Sequence, residues 1–382
     1  MIGDVFVTAF IADIHFGAMK SDQLYIQLQE YFLKVLDKKK IDLLVFGGDL
    51  FHNIITMNYS TSHIVLMFME NVIELCKANN IPHIRIIQGT ISHDNNQLHN
   101  FHMFENRSDI DFKIIMNVTE EYFPYEKIRV LYIPEEYMRD PQEYYKAYIA
   151  DADKKYDMIF GHGMVKEVAF IAKNQESENT MSKAPIFDTK QLINACKGPI
   201  YFGHIHIRTT VRKHVHYPGS FSRFRFGEED PKGWFLSVYD TKTHKYLHEF
   251  IENKMAPEYL TVEVKLTEEY LDKPEQIVEF LKRFTTDYLR IKVLIDGESG
   301  FAVQYLMDTY KDNPSVKIMV VNEAEAKEEA EVQEVMDRIM DKYSFVFDPS
   351  LTVHQVIQRF IKVKNDRDIP IEIIEDELSA LS

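Results

Sequence analysis

The chain has 382 residues, 45% of them apolar, which is too long for one ordinary small domain and ample for a sizeable core. Sixty acidic against 44 basic residues leave a formal charge of −16, the wrong sign for a protein that grips a nucleic acid chiefly through its own surface. No stretch approaches a membrane span and Met1-Ile2-Gly3-Asp4 lacks a basic leader region. Two isolated cysteines, Cys76 and Cys196, argue against a disulfide framework or a thiolate metal site, so the expected compartment is the cytoplasm.

In chain order, Phe6–Ala12 is an apolar run expected as a strand, followed by helical periodicity from Asp22 to Lys39. Leu43–Phe46 is the next strand, Ser60–Asn79 a second helix and His83–Gln88 a third strand, the order of crossover units in a largely parallel sheet. Ile110–Met116, Ile128–Ile133, Tyr156–Phe160 and Pro199–Phe202 add strands. A helix opens at Pro141 and runs to about Asp153, Lys166–Pro185 reads as a polar loop, and Asp188 is placed to cap a short helix. From Thr209 the pattern alternates, over Thr210–Tyr217, Gly233–Tyr239, Tyr246–Glu252 and Leu260–Leu266, predicting antiparallel strands of a second sheet packed on the first. A boundary falls at Ala256. Beyond it Pro274–Thr286, Leu289–Ile295, Glu298–Tyr310 and Val316–Val321 read as a small α+β unit, and Glu325–Tyr343 and Leu351–Lys364 as helices, the first strongly acidic. The fold class expected is α/β, two sheets flanked by helices.

One stretch organises the rest. Leu43-Leu44-Val45-Phe46-Gly47-Gly48-Asp49 is a buried strand that stops, after two glycines, on a carboxylate. An ionised carboxylate leaving water needs a partner charge or several donors; a cap on the following helix is the plainer alternative. Four more strands end in the same way, on Asp13-Ile14-His15, His93-Asp94, Gly161-His162 and Gly203-His204-Ile205-His206. Five such ends describe one edge of an α/β sheet at which a ligand binds. Carboxylates and imidazoles without thiolate suit Mn²⁺, Fe²⁺ or Zn²⁺, and a central carboxylate able to bridge two ions suits phosphate-ester hydrolysis.

That order of motifs resembles the calcineurin-like metallophosphoesterases. More narrowly it is similar to the SbcD-type nuclease subunits of DNA double-strand-break repair complexes, in a phage-like version. The narrower likeness is carried by Gly48-Asp49-Leu50-Phe51-His52 and by Tyr217-Pro218-Gly219-Ser220-Phe221-Ser222-Arg223, with Phe226-Gly227-Glu228 and Lys232-Gly233 after it. It covers roughly residues 5 to 240; beyond that only the layout agrees.

The resemblance implies a metallophosphoesterase sandwich over residues 1–256, a capping, DNA-contacting domain over 257–322 and helices over 323–382 that dock on a partner ATPase. It implies two divalent ions, Mn²⁺ foremost, with Mg²⁺, Fe²⁺ or Zn²⁺ as alternatives. Asp13, His15, Asp49 and His206 would hold one ion, and Asp49, His162 and His204 the other, with a hydroxide between them attacking phosphorus. His93 would stabilise the phosphate or protonate the leaving oxygen, and His52, Ser220 and Arg223 would contact substrate. The activity implied is that of a DNA exonuclease and endonuclease in repair, recombination and replication. Its implied partners are double-stranded or branched DNA and an SbcC-like ABC-type ATPase with a coiled coil. A second copy would form a homodimer within a heterotetramer, in the host cytoplasm for a phage-encoded chain.

One motif departs from the family pattern Gly-Asn-His-Asp, in which the Asn completes the second ion's shell. Here Gly89-Thr90-Ile91-Ser92-His93-Asp94 carries two more residues and puts Ser92 in the place of Asn, with Asn95 and Asn96 as substitutes. A hydroxyl is a poorer ligand than an amide carbonyl, so the expectation is a raised metal requirement. Two rival readings keep the site. One is a phosphodiesterase for a small or protein substrate, which the negative charge favours; the other is a weakly active, non-catalytic subunit, marked by Ser92.

Overall fold

The computed structural model describes residues 5–54, 60–107, 109–150, 152–169, 184–295, 300–322, 353–365, 370–371 and 373–374. The acidic helix expected over Glu325–Tyr343, most of the 166–185 loop and the tail from Asp366 lie largely or wholly outside these residues. The chain divides into two compact units, 1–260 with 286–288, and 261–285 with 289–382.

In the first unit the strands run β1 (Val5–Ile11), β2 (Leu43–Phe46), β3 (His83–Ile87), β4 (Asp111–Ile115), β5 (Thr119–Phe123), β6 (Ile128–Ile133) and β7 (Met158–His162). They continue as β8 (Met164–Val165), β9 (Ile186–Phe187), β10 (Ile200–Gly203), β11 (Thr209–Val211), β12 (Val215–Tyr217), β13 (Gly233–Asp240) and β14 (Tyr246–Glu252). Two six-stranded sheets result, ordered β14-β13-β1-β2-β3-β4 and β11-β12-β10-β7-β6-β5, and β8 pairs with β9 alone.

Alternation along the strands sorts side chains into layers. Phe6 and Phe10 of β1, Leu43 and Val45 of β2, Val130 and Tyr132 of β6, Met158 and Phe160 of β7 and Tyr201 of β10 form one core cluster, so the sheets pack face to face. Residues one step along, such as Ile11, Leu44 and Phe46, turn outward onto the helices Ser21–Leu28 and Ser60–Ala78. Leu131, Ile159 and Phe202 do the same on the other sheet, under the helices Pro141–Lys146 and Thr189–Ala195. Both faces of the central strands are thus buried, which is why they read as unbroken apolar runs.

A charged pair lies between the sheets. Arg85 of β3 is fully buried and donates from Nε and Nη2 to the Glu121 carboxylate on β5 at 2.8 and 2.7 Å, and from Nη2 to Asp111 at 2.6 Å. A buried guanidinium is tolerated only with such partners. This link fastens β5, a strand without an apolar run of its own, to the opposite sheet.

Several expectations change. The five metal-motif strands do not form one sheet edge: β1, β2 and β3 belong to one sheet, β7 and β10 to the other. Thr210–Tyr217 is not one strand but the hairpin β11–β12, turning through Arg212 and Lys213 at φ +48° and +64°. β13 and β14 complete the first sheet rather than a second one, with β13 antiparallel to β1 (Phe10 opposite Phe235). Alternation reports which face is buried, not which neighbour a strand finds. The helix at Pro141 ends at Lys146, short of Asp153, with Asp140 accepting the Glu143 N–H as its cap. Asp188 caps Thr189–Ala195, accepting the N–H groups of Lys190 and Gln191.

The second unit holds nearly all of a three-stranded sheet, ordered β15 (Tyr259–Lys265), β16 (Tyr288–Ile295) and β17 (Val316–Asn322), together with short helices. Val262, Val264, Ile277, Leu281, Ile291, Val293, Ala302 and Leu306 are buried there. The helix Val353–Asn365 shows Phe360 40% exposed; Leu351, where that helix was expected to start, lies outside the described residues. No helix among the described residues is long and apolar enough to cross a membrane.

Candidate metal centre

Parallel pairing within each sheet brings the carboxyl ends of β1, β2 and β3, and of β6, β7 and β10, to one end of the two-sheet unit. The backbone turns sharply there: Asp13, His15 and Asp49 have φ of +51°, +52° and +51°, and His204 has +94°. Left-handed backbone at non-glycine residues costs of order 1–3 kcal/mol each and persists where the surroundings enforce it. The enforcing contacts are Asp13 N–H to Gly48 O and His15 N–H to Asp49 O, both 3.0 Å, and Phe16 N–H to Leu50 O at 2.9 Å. Asp94 adds a clamp, its buried carboxylate accepting the N–H groups of Gly89 (2.8 Å), Asp49 (3.0 Å), Leu50 (3.0 Å) and Phe51 (3.2 Å). Burial and the Asp49 carboxylate push Asp94 up to about 7.

Close approach needs glycine at two of these turns. A Cβ on Gly48, at φ +93°, would fall 2.3 Å from His162 Nδ1, and one on Gly203 would fall 2.5 Å from Gly47 O.

Two groups of donors result, and Asp49 stands between them. Asp13, His15 and His206 offer ligand atoms within 4.8 Å of one another, as do Glu135, His162 and His204; Asp13, Asp49 and His162 do so as well. His15 Nε2 lies 2.9 Å from His206 Nε2 and 3.8 Å from Asp49 Oδ2, while His162 Nε2 lies 3.4 Å from Asp49 Oδ1. Two imidazole nitrogens at 2.9 Å require a proton or a cation between them. The Asp13 carboxylate accepts the His204 N–H at 2.9 Å.

The outer partners aim the rings. His162 Nδ1–H donates to Gly47 O at 2.8 Å and His206 Nδ1–H donates to Glu228 Oε1 at 2.9 Å, so each presents Nε2 to the centre. His93 Nδ1–H likewise donates to the His52 carbonyl, which leaves its Nε2 beside the His15 ring, 5.0 Å away between centroids. His162 Nε2 and Glu135 Oε1 are buried with no hydrogen-bond partner. Buried polar atoms without partners, in a set made only of carboxylates and imidazoles, fit divalent cations.

The electrostatics agree. Burial pushes His15 well below the ordinary imidazole range, and the nearby His206 lowers it further, which keeps a lone pair available. Burial also penalises the Asp49 charge, but His162 and His93 outweigh it and hold that carboxyl well below its usual range. Burial lowers His162 too, yet Asp49, Asp13 and Glu135 together raise it well above normal. In Asp13, buried beside Asp49, desolvation wins and the carboxyl is raised.

The structure brings together Asp13, His15, Asp49, His93, His162, His204 and His206, with His52 at the rim in a group with His15 and His93. Ser92, expected as a ligand, is exposed. Thr90 holds the inner position instead, donating its N–H to Asp49 Oδ1 at 2.6 Å. Ser220, expected at the substrate, is fully buried and donates its hydroxyl to Ser222 O at 2.8 Å. Arg223, expected there too, donates to the carbonyls of Ala256 and Asp230 at 3.2 and 3.1 Å, latching its own loop. Sequence reasoning missed Glu135 and the Glu228 support of His206. Glu135 had a signal: β6 is a further apolar strand, and it runs through Pro134 into an acid. No protein-family model matches the chain, and no curated protein matches it.

Proposed function

We propose that this chain is a metal-dependent phosphodiesterase, acting on DNA as the nuclease subunit of an SbcC-SbcD-like complex. The observation that carries the reading is the shared carboxylate Asp49, lying within 4 Å of one imidazole from each donor group, His15 and His162. Asp13, His15, Asp49 and His206 would hold one ion; Asp49, His162 and His204 would hold the other. Bound divalent ions, Mn²⁺ foremost, would supply a nucleophile at neutral pH and compensate charge on the phosphoryl group.

The chain's own residues do the rest. Gly47 O and Glu228 fix which nitrogen His162 and His206 present. His93 has its Nδ1–H tied to the His52 carbonyl, so Nε2 is the atom that faces the substrate, and from the doubly protonated ring it would donate a proton to the departing oxygen or a hydrogen bond to the phosphate. Burial, then His93 and His206, lower the pKa of His52, and the charge of Arg225 adds to them; Arg225, 43% exposed, is a better placed phosphate contact than Arg223. DNA is preferred over a small substrate because the motif likeness extends through Gly48–His52 and Tyr217–Arg223, beyond the ligands. A chain with a net charge of −16 would leave most phosphate contacts to its ATPase partner.

The test is hydrolysis of an end-labelled duplex and of bis-p-nitrophenyl phosphate with Mn²⁺, for wild type, Asp49→Asn and His93→Ala. Loss of both activities in both variants supports the reading. Cleavage of the small ester with intact duplex, even with an SbcC-like partner present, moves the substrate away from DNA. Neither activity at any Mn²⁺ concentration ends the enzymatic reading.

A further inference from the structure

We propose that Glu135, not Ser92, supplies the oxygen ligand that completes the second metal site, which gives this chain a carboxylate where the family pattern has a neutral amide. The proposal rests on the two-ion reading above.

Glu135 follows β6 by two residues, and its backbone is fixed on both sides: its N–H donates to Gln88 O at 3.1 Å, and its carbonyl accepts from Gln88 Nε2 at 3.2 Å. The side chain is fully buried and points among the donors. Oε2 is 3.1 Å from His204 Nδ1 and 3.7 Å from His162 Nε2, and the Thr90 hydroxyl is 3.4 Å away. Oε1 has no hydrogen-bond partner, nor has His162 Nε2. No Lys or Arg is paired with Glu135 among the described residues, so its charge is balanced only by the imidazoles. A buried carboxylate with one oxygen making no hydrogen bond, beside an imidazole nitrogen that makes none either, is a costly arrangement unless a cation joins them.

The departure at Gly89–Asp94 fits the same account. Thr90 sits between Asp49 and Glu135 and reaches both carboxylates, with Oγ1 3.2 Å from Asp49 Oδ2, while Ser92 is turned out to solvent. The altered loop therefore positions two acidic ligands instead of providing one of its own. A second carboxylate adds a full negative charge for the second ion, so its affinity should not be weakened by the loss of Asn.

Manganese binding to the full chain tests this directly, by equilibrium dialysis and by the electron paramagnetic resonance spectrum of the bound ions. Wild type is expected to bind two Mn²⁺ with a spin-coupled spectrum. Glu135→Ala should retain one ion and bind the second at least about tenfold more weakly, with the coupling lost at matched Mn²⁺. Glu135→Gln, which keeps size and an amide oxygen, should fall between the two, and Ser92→Ala should match wild type. Two Mn²⁺ bound with wild-type affinity by Glu135→Gln and Glu135→Ala, or loss of the second ion in Ser92→Ala, overturns the proposal and leaves the two-ion reading standing. A wild type that binds no Mn²⁺ ends both.

Discussion

The carboxylate of Asp94 accepts the backbone N–H of Asp49 at 3.0 Å, and the same oxygen accepts the N–H of Gly89 at 2.8 Å. One buried side chain thus ties the turn after β2 to the turn after β3, and with them the central carboxylate of the candidate metal centre to the Thr90 that supports it.

Asp94→Asn keeps the size but turns one acceptor oxygen into a donor facing two amide N–H groups. Two of the four bonds are lost and donor meets donor, a cost of about 3 kcal/mol. Urea denaturation should show a lower midpoint with an unchanged slope; a wild-type midpoint would remove Asp94 as the clamp.

Under the proposed function His93 would assist the reaction without holding an ion, so His93→Ala should lower the turnover of a phosphodiester by ~10²–10⁴ while Mn²⁺ affinity stays near wild type. Steady-state kinetics beside a metal titration separate the two. A parallel loss of metal would make His93 a ligand, and an unaltered rate would make it structural.

On the two-ion reading Glu228→Gln should weaken Mn²⁺ binding by about 10–100-fold, because Glu228 accepts from His206 Nδ1 and turns Nε2 toward the other candidate ligands. The fully buried carboxylate also accepts the Phe224 N–H at 2.9 Å, and an amide oxygen can keep only one of these two contacts. Equal affinity in variant and wild type would deny the outer carboxylate any role in the ion's binding.

His216 predicts an acid sensitivity away from the centre. It is buried between Thr210 (3.1 Å) and the Tyr246 hydroxyl (2.9 Å), and burial, with His248 and His214 nearby, lowers its pKa from 6.5 to about 3. The folded chain therefore stays unprotonated there while the unfolded chain takes up a proton below pH 6.5, so stability is full above that value and falls as pH drops toward about 3. The slope from this one group is at most about 1.4 kcal/mol per pH unit. His216→Asn should be less stable at neutral pH but decline less steeply over that window; thermal melts from pH 7 to pH 4 with identical slopes would refute it.

Much of the centre was legible because its residues follow apolar runs directly. Asp13, His15, Asp49, His162, His204 and His206 each stand within a few residues of a strand buried on both faces, and such strands are the plainest pattern a sequence offers. The residues that were not legible are those whose role depends on a partner far along the chain. Glu135 follows a proline and precedes a second acid, which reads as a solvated turn until the loop carrying Thr90 closes over it. Ser220 and Arg223 were misplaced for the converse reason: a hydroxyl and a guanidinium look available until Ser222, Asp230 and Ala256 are found to have taken them.

From sequence alone it was legible that strands ending in Asp and His alternate with helices. Local periodicity and residue chemistry are sufficient for that, since neither depends on distant contacts. Which sheet each strand joins was decided only in the tertiary structure, as was the division of the Asp and His motifs between two sheets and the placing of Glu135 beside His162 and His204. Those outcomes are set by burial against residues more than 40 positions away, as Thr90 is from both Asp49 and Glu135, and alternation along a single strand carries no record of them.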